Sequence, residues 1–332
     1  MNTVSVLIMR PQGEHSASTD QTLGAKLCAV PETTVQEDTF DRARPGDIER
    51  KLADWRGRIR GVIGATHAAE SQRLGEIAEG IGALCFVANN NPSVWQKRRH
   101  VFHIGFPWKQ TAAAISAELV QKTNRRRYLL LHDSTQFQSQ VALNMEAALR
   151  TYGIDVRNVA YTPGEPLELT GSWKPEVIYV VFSSERKAAQ ILQMANDRAP
   201  DIPVVIGRSL LRESFLETLR GRTGEFWFVD TIFRRDRVQT ESQQQFVRAM
   251  AENGVKVPTT NHAFGWDCMK FCALALKAGG GDPERAIDYL ESGVTLEGAT
   301  GTCTFSPDNH NGRHGLGPTI LSRWNNGRFE DV

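Results

Sequence analysis

Apolar positions in this chain fall in short runs separated by polar loops and amphipathic stretches. The clearest unit is Arg126 to Val156. Tyr128 to Leu131 is a buried-strand pattern, His132 to Gln136 a polar loop, and Val141, Leu143, Met145, Ala148 and Leu149 recur at helical spacing. Gly153 follows, where a left-handed closing residue is needed. The same strand–loop–helix unit repeats along the chain. Strands are predicted at Val4–Met9, Thr33–Thr39, Gly61–Ala65 and Ala83–Val87, then at Asp155–Tyr161, Val177–Phe182, Pro203–Gly207 and Phe226–Phe233. A short extended piece, VFHIGF, precedes Pro107. Helices are predicted at Leu23–Val30, Asp47–Arg56, Ala68–Gly80, Trp108–Lys122, Ser184–Arg198, Leu210–Leu219, Gln239–Asn253, Trp266–Ala278 and Asp282–Glu291. The Gly- and Asn-rich tail has two short β-like runs, with a hairpin turn at Asn326-Gly327.

Alternating strands and helices imply parallel sheets covered by helices on both faces. The series runs once before Pro107 and again after it, so two lobes are expected, and a length of 332 residues suits two domains. In open sheets of this kind ligands bind at the carboxyl ends of the strands. The loops there are where chemistry should be sought.

Lys plus Arg number 39 and Asp plus Glu 38. This balance argues against a general nucleic-acid binder, which needs a basic surface. The runs Lys97–Arg99 and Arg125–Arg127 sit beside strands and read as solvated edges. No segment approaches the roughly 20 apolar residues of a membrane span. The start, MNTVSVLIMRPQGE, lacks a basic n-region and a small-residue cleavage site, so it does not read as a signal peptide. That leaves a cytoplasmic chain, or one whose signal has been removed. The 5 cysteines are no disulfide framework. Cys268 and Cys272 lie on an apolar helix and read as core thiols; a Cys272–Cys303 bridge has nothing to support it.

Catalytic signatures are missing. No Gly-x-Gly-x-x-Gly follows the first strand and no phosphate-binding loop motif occurs, which disfavours nucleotide cofactors. No Gly-x-Ser-x-Gly is present. His132, Asp133 and Ser134 offer base, orienter and nucleophile, but adjacent residues on an extended loop point apart. Asp308 to Gly312 has oxygen ligands yet lacks the Glu that would close a calcium loop, and reads as a polar turn. No cofactor and no metal are expected.

Four segments carry a resemblance. Val62-Ile63-Gly64 precedes a polar loop; VANNNP spans Val87 to Pro92; LHDSTQFQSQ combines strand, Asp and aromatic residue; and FGWDCMKFCALALKAGGGDPERAIDYLESGVTLEGATGTCTFSPDNHNG supplies a Trp-Asp helix, a Gly-rich turn and a Phe-containing strand. In order and spacing they resemble the substrate-binding proteins of branched-chain amino acid ABC importers, the Leu/Ile/Val-binding family of the type I periplasmic-binding-protein fold. The resemblance covers nearly the whole chain. It implies two Rossmann-like lobes, the first trimmed at one edge, joined by a hinge that the chain crosses three times. The first lobe would be residues 1–107 plus 236–308, the second 108–235 plus 309–332, with a ligand cleft between them. It implies a non-catalytic protein that captures an amino acid, organic acid or amide by hinge closure and delivers it to an ABC permease. Its place would be periplasmic or extracytoplasmic, with no nucleic acid partner and no membrane insertion. A cytoplasmic regulator of the amide-sensor type on the same fold is the alternative.

Carried over position by position, the resemblance places ligand contacts at Thr66, His67 and Ala68, then at Ala88, Asn89 and Asn90. In the second lobe it points to Phe137 as an aromatic wall and to Ser183. After PVVIG the family often has an acid for the ligand ammonium. This chain has Arg208 and Ser209, and Arg suits a carboxylate. Either Arg208 meets an anionic ligand, or it faces solvent and Asp230 or Glu185 supplies the acid.

Overall fold

The computed structural model describes residues 3–13, 16–64, 66–89, 92–106, 108–165, 167, 169, 171–230, 233, 240–313, 320–325 and 327–331. The chain divides into two compact units, Met1–Pro107 with Phe233–Gly317 and Trp108–Ile232 with Pro318–Val332, so it passes from one to the other three times.

The first unit is built on five parallel strands in the order β2-β1-β3-β4-β5. These are β1 (Val4–Pro11), β2 (Thr33–Phe40), β3 (Gly61–Gly64), β4 (Leu84–Val87) and β5 (Val101–His103). Alternation along β1 sorts its side chains to the two faces. Leu7 and Met9 join Val62, Cys85 and Val87 beneath helices α2 (Asp47–Trp55) and α3 (Ala68–Gly80). Val6 and Ile8 join Ile63, Phe86 and Phe102 on the opposite face, against α9 (Thr260–Ala278) and α10 (Pro283–Glu291). The edge strand β2 is the polar one, which suits an edge.

Helix α1 (Ser16–Leu27) packs on α9 with almost no space between the backbones. A Cβ on Gly265 would lie 1.8 Å from the Gln21 carbonyl oxygen, and one on Gly24 would lie 1.9 Å from that of His262. Helix α9 is buried nearly all round, as its continuous apolar sequence requires. It starts at Thr260, earlier than its apolar pattern, because Thr259 and His262 form a capping box. The α1 region likewise differs from expectation: the helix runs from Ser16 to Leu27, not from Leu23 to Val30. Its polar residues Ser18, Gln21 and Thr22 are buried, which erased the amphipathic signal.

Helix α8 (Glu241–Glu252) and a two-stranded antiparallel sheet, β11 (Thr295–Gly298) with β12 (Gly301–Thr304), complete the unit. Asp267 on α9 accepts from the backbone N–H of Ala299 (2.6 Å) and Thr300 (2.9 Å) and from the Thr300 hydroxyl. Burial pushes its carboxyl up, although Thr300, Arg313 and Ala299 pull the other way. Arg313 donates to the carbonyls of Thr300 and Ile104 and stacks on Phe106. His310 is buried between the Val101 carbonyl and Glu291. These bonds seat residues 309–313 in the first unit, whereas the sequence reading assigned them to the second lobe. Ser306 and Asn309 exchange backbone bonds across the expected polar turn.

The second unit holds a seven-stranded sheet in the order β14-β13-β10-β9-β8-β6-β7. Strands β6 (Arg127–His132), β7 (Asp155–Ala160), β8 (Val177–Val181), β9 (Val204–Gly207) and β10 (Phe226–Asp230) run parallel. The hairpin β13 (Ile320–Asn325) and β14 (Arg328–Asp331) adds antiparallel to β10. Gly327 turns it at φ +96°; its partner Asn326 lies outside the described residues. Tyr128, Leu130, Val177, Tyr179 and Val205 face α4 (Trp108–Thr123) and α5 (Gln136–Thr151). Leu129, Leu131, Ile178, Val180 and Ile206, the alternating set, are equally buried. Strands covered on both faces read as continuous apolar runs. Helix α6 (Glu185–Arg198) is a single element as expected. The helix expected at Leu210–Leu219 is instead a 3₁₀ turn, Arg208–Leu210, followed by the short α7 (Glu213–Glu217).

Three arginines of the two basic runs form ion pairs within their units. Arg98 meets Glu76 and Arg99 meets Glu284 and Asp288, while Arg127 meets Glu176. All five cysteines are free and buried. Burial pushes the Cys85 thiol up to about 12 and that of Cys303 to about 11.

Candidate functional site

In the first unit the predicted positions sit where β3 and β4, neighbours in the sheet, end. Gly64 closes β3 at φ +133°, and a Cβ there would lie 2.0 Å from the Met9 carbonyl oxygen. Only glycine lets the turn pass this close to β1. Thr66 follows, its hydroxyl 3.0 Å from that of Ser18. His67 caps α3, its carbonyl accepting from Ser71 N–H at 2.9 Å, with its ring exposed. Partial desolvation lowers its pKa, Arg42 acting the same way and Glu70 against it. Ala68 is the first helical residue.

After β4, Ala88 and Asn89 are buried; Asn90 lies outside the described residues. The Asn89 carbonyl accepts from Nε2 of His103, at the end of β5. A carbonyl can only accept, so Nε2 carries the ring proton. His103 is fully buried, stacks on Trp95 with ring centroids 3.7 Å apart, and has Nδ1 beside the Asn311 side chain. Burial lowers its pKa to about 4, despite bonds to Asn89 and Asn311 that favour the charged form. The ring is therefore neutral at neutral pH and holds the Asn89 turn in place. Gly105 leaves room for it: a Cβ there would lie 2.6 Å from Nε2. Sequence reasoning missed His103. The only local signal was a histidine amid the apolar run VFHIGF.

Under the β3 turn a small cavity is lined by Ser18, Gln21, Thr22, Met9 and Gly64 among others. Nε2 of Gln21 is buried there and meets no partner among the described residues.

In the second unit Phe137, Ser183, Arg208 and Ser209 follow β6, β8 and β9, which are consecutive neighbours. Asp133 ties the turn after β6 to the turn after β8. Its Oδ2 accepts from Ser183 N–H (2.9 Å) and Ser183 Oγ (2.7 Å), and its Oδ1 from Thr135 N–H (3.1 Å) and the Thr135 hydroxyl. Burial alone would raise its pKa, but the bonds from Ser183 and Thr135 outweigh it and hold the carboxyl below its ordinary value. Thr135 in turn caps α5. Nδ1 of His132 faces the Asp133 carbonyl at 2.7 Å, not its carboxylate. The base-and-orienter arrangement that the adjacent pair suggested is thus not formed.

Phe137, second residue of α5, is 53% exposed, a large apolar ring presented at the strand ends. Ser209 donates to the Phe182 carbonyl at 2.9 Å. Glu185 accepts from Ser214 at 2.8 Å. Arg208 is half-buried, with Nη1 sealed from solvent and unpartnered among the described residues. The Asp230 side chain lies outside the described part. Among the described residues no group of three or more His, Cys, Asp or Glu is placed to hold a metal ion. No described helix is long and apolar enough to cross a membrane.

Two α/β units, three chain passages and polar turns at the strand ends define a class that sequence comparison identifies. Residues 33–328 match the periplasmic binding protein family, and the chain belongs to it. Solved structures agree on the fold. The leucine-binding protein LivK of Thermotoga maritima is 18% identical, with 98% of this chain and 97% of that one covered and a TM-score of 0.75. The branched-chain amino acid transporter substrate-binding protein LivJ of Streptococcus pneumoniae, in complex with isoleucine, is 17% identical over 99% and 98%, at 0.78. An ABC transporter solute-binding protein of R. palustris, in complex with benzoate, is 15% identical over 100% and 96%, at 0.76. Comparison with curated proteins yields no match.

Proposed function

We propose that this chain is the non-catalytic solute-binding protein of an ABC importer, capturing a small polar ligand by hinge closure and acting outside the cytoplasm. The observation that carries the reading is the family match across residues 33–328. It is supported by relatives of the same fold that bind leucine, isoleucine and benzoate. In the first unit Thr66 and the backbone N–H groups around His67, Ala68, Ala88, Asn89 and Asn90 would receive the ligand's acceptor atoms. In the second, Phe137 would cover its apolar part, and Ser183, Arg208 and Ser209 would meet its polar end. An ABC permease is the implied partner.

Isothermal titration with amino acids, organic acids and amides tests this reading. One class should bind with 1:1 stoichiometry, be recovered chemically unchanged, and bind about tenfold more weakly to Thr66→Ala. Turnover of the bound compound, or no binding by any class, would overturn it.

A further inference from the structure

Arg208 occupies a position that the described residues of its unit leave electrically incomplete. It opens the turn after β9, between the ends of β8 and β10 in the sheet. One guanidinium nitrogen is removed from solvent without an acceptor among the described residues. A cationic donor withdrawn from water without a partner is costly, so such a group is retained where something completes it. Of the acids at the neighbouring strand ends whose side chains are described, Asp133 and Glu185 are already engaged. Asp133 accepts four hydrogen bonds from Thr135 and Ser183, and Glu185 takes the Ser214 hydroxyl. The Ser209 hydroxyl donates to a backbone carbonyl.

We infer that the ligand of this protein is a small carboxylic acid without an amino group, and that Arg208 selects it by pairing with the carboxylate. The inference rests on the solute-binding reading and narrows it. A planar guanidinium meets a carboxylate with two parallel donors, and the opposite charge offsets the cost of withdrawing the guanidinium from water. An ammonium at the same place would face the guanidinium as a like charge, while the described Asp133 and Glu185 carboxylates already accept other donors. Specificity thus comes as much from repulsion of the amine as from attraction of the acid.

The test uses pairs that differ only by the amine: isovalerate against valine, 4-methylpentanoate against leucine, and 3-phenylpropionate against phenylalanine. Each is titrated calorimetrically into the full chain and into Arg208→Gln. At least one acid should bind while its amino acid does not, and Arg208→Gln should weaken that acid about 10- to 100-fold. The ligand-free melting temperature of Arg208→Gln should be unchanged or higher, which separates lost recognition from lost fold. Binding of the amino acids in preference to the acids overturns the inference and leaves the solute-binding reading standing. Unchanged acid affinity in Arg208→Gln overturns it too. Silence from both series overturns the inference, and silence extending to neutral amides removes the solute-binding reading with it.

Discussion

His103 shows how a single side chain can tie the stability of the first unit to the shape of the turn after β4. Unfolded, its imidazole takes up a proton near the ordinary value of 6.5; folded, burial holds that value down to about 4. Between the two, the unfolded chain binds a proton that the folded one refuses. Stability should therefore be complete above pH 6.5 and fall by up to about 3 kcal/mol as the pH drops to 4. Urea denaturation at pH 7, 5.5 and 4 should show this slope, and His103→Gln, which keeps a donor, should flatten it. Asp133 has the opposite character. Its carboxyl is held below the ordinary carboxylate range, so its contribution is present above about pH 4 and is lost as the pH falls through the lowered value. Asp133→Ala should cost about 1–3 kcal/mol at pH 7, because the donors of Ser183 and Thr135 lose their acceptor. A loss that persists undiminished at pH 2 would contradict that account.

At the scale of elements, the packing of α1 on α9 depends on the absence of two side chains. A methyl group on Gly265 has no place to go except into the Gln21 carbonyl, and backbone cannot move aside as a flexible side chain can. Gly265→Ala should destabilise the chain by about 3 kcal/mol or more, or prevent folding, as followed by circular dichroism against denaturant. Gly153→Ala, at φ +71° with nothing near its Cβ, tests the other use of glycine. It should cost only the strain of a left-handed residue, about 1 kcal/mol. Helix starts follow the same local logic. Thr259 and Thr240 each complete a capping box, and Thr240→Ala should cost about 1 kcal/mol. Most strands and helices could be placed from periodicity within one or two residues. The exceptions are instructive: α1 departs from its periodicity because its buried face is polar, α9 begins before its apolar pattern because of its capping box, α7 is shorter than its apolar turn suggests, and β11 gives little signal because it is short and half-polar.

For the whole molecule, ligand binding should raise the melting temperature by mass action, since only the folded chain has the assembled turns. At a hundredfold excess over Kd the gain is about 2.7 kcal/mol, and the shift should keep growing with the logarithm of ligand concentration. A shift that saturates at stoichiometric ligand would instead indicate a different linkage. The alternating pattern of apolar runs and amphipathic stretches was sufficient to determine the α/β class, the repetition of one plan in two units and, with four segments in order, the family. Hydrophobic periodicity is a local property, and burial of both sheet faces writes it into consecutive residues. What only the tertiary structure decided is which polar groups are already satisfied. Asp133 is answered by Ser183, fifty positions away. His103 is answered by the Asn89 carbonyl, and Thr300 and Arg313 close around Asp267. Arg208 is left with a nitrogen that nothing described answers. Hydrogen bonds join residues that the chain brings together only after it has folded, so the free valences of a site are set by three-dimensional packing and not by sequence order.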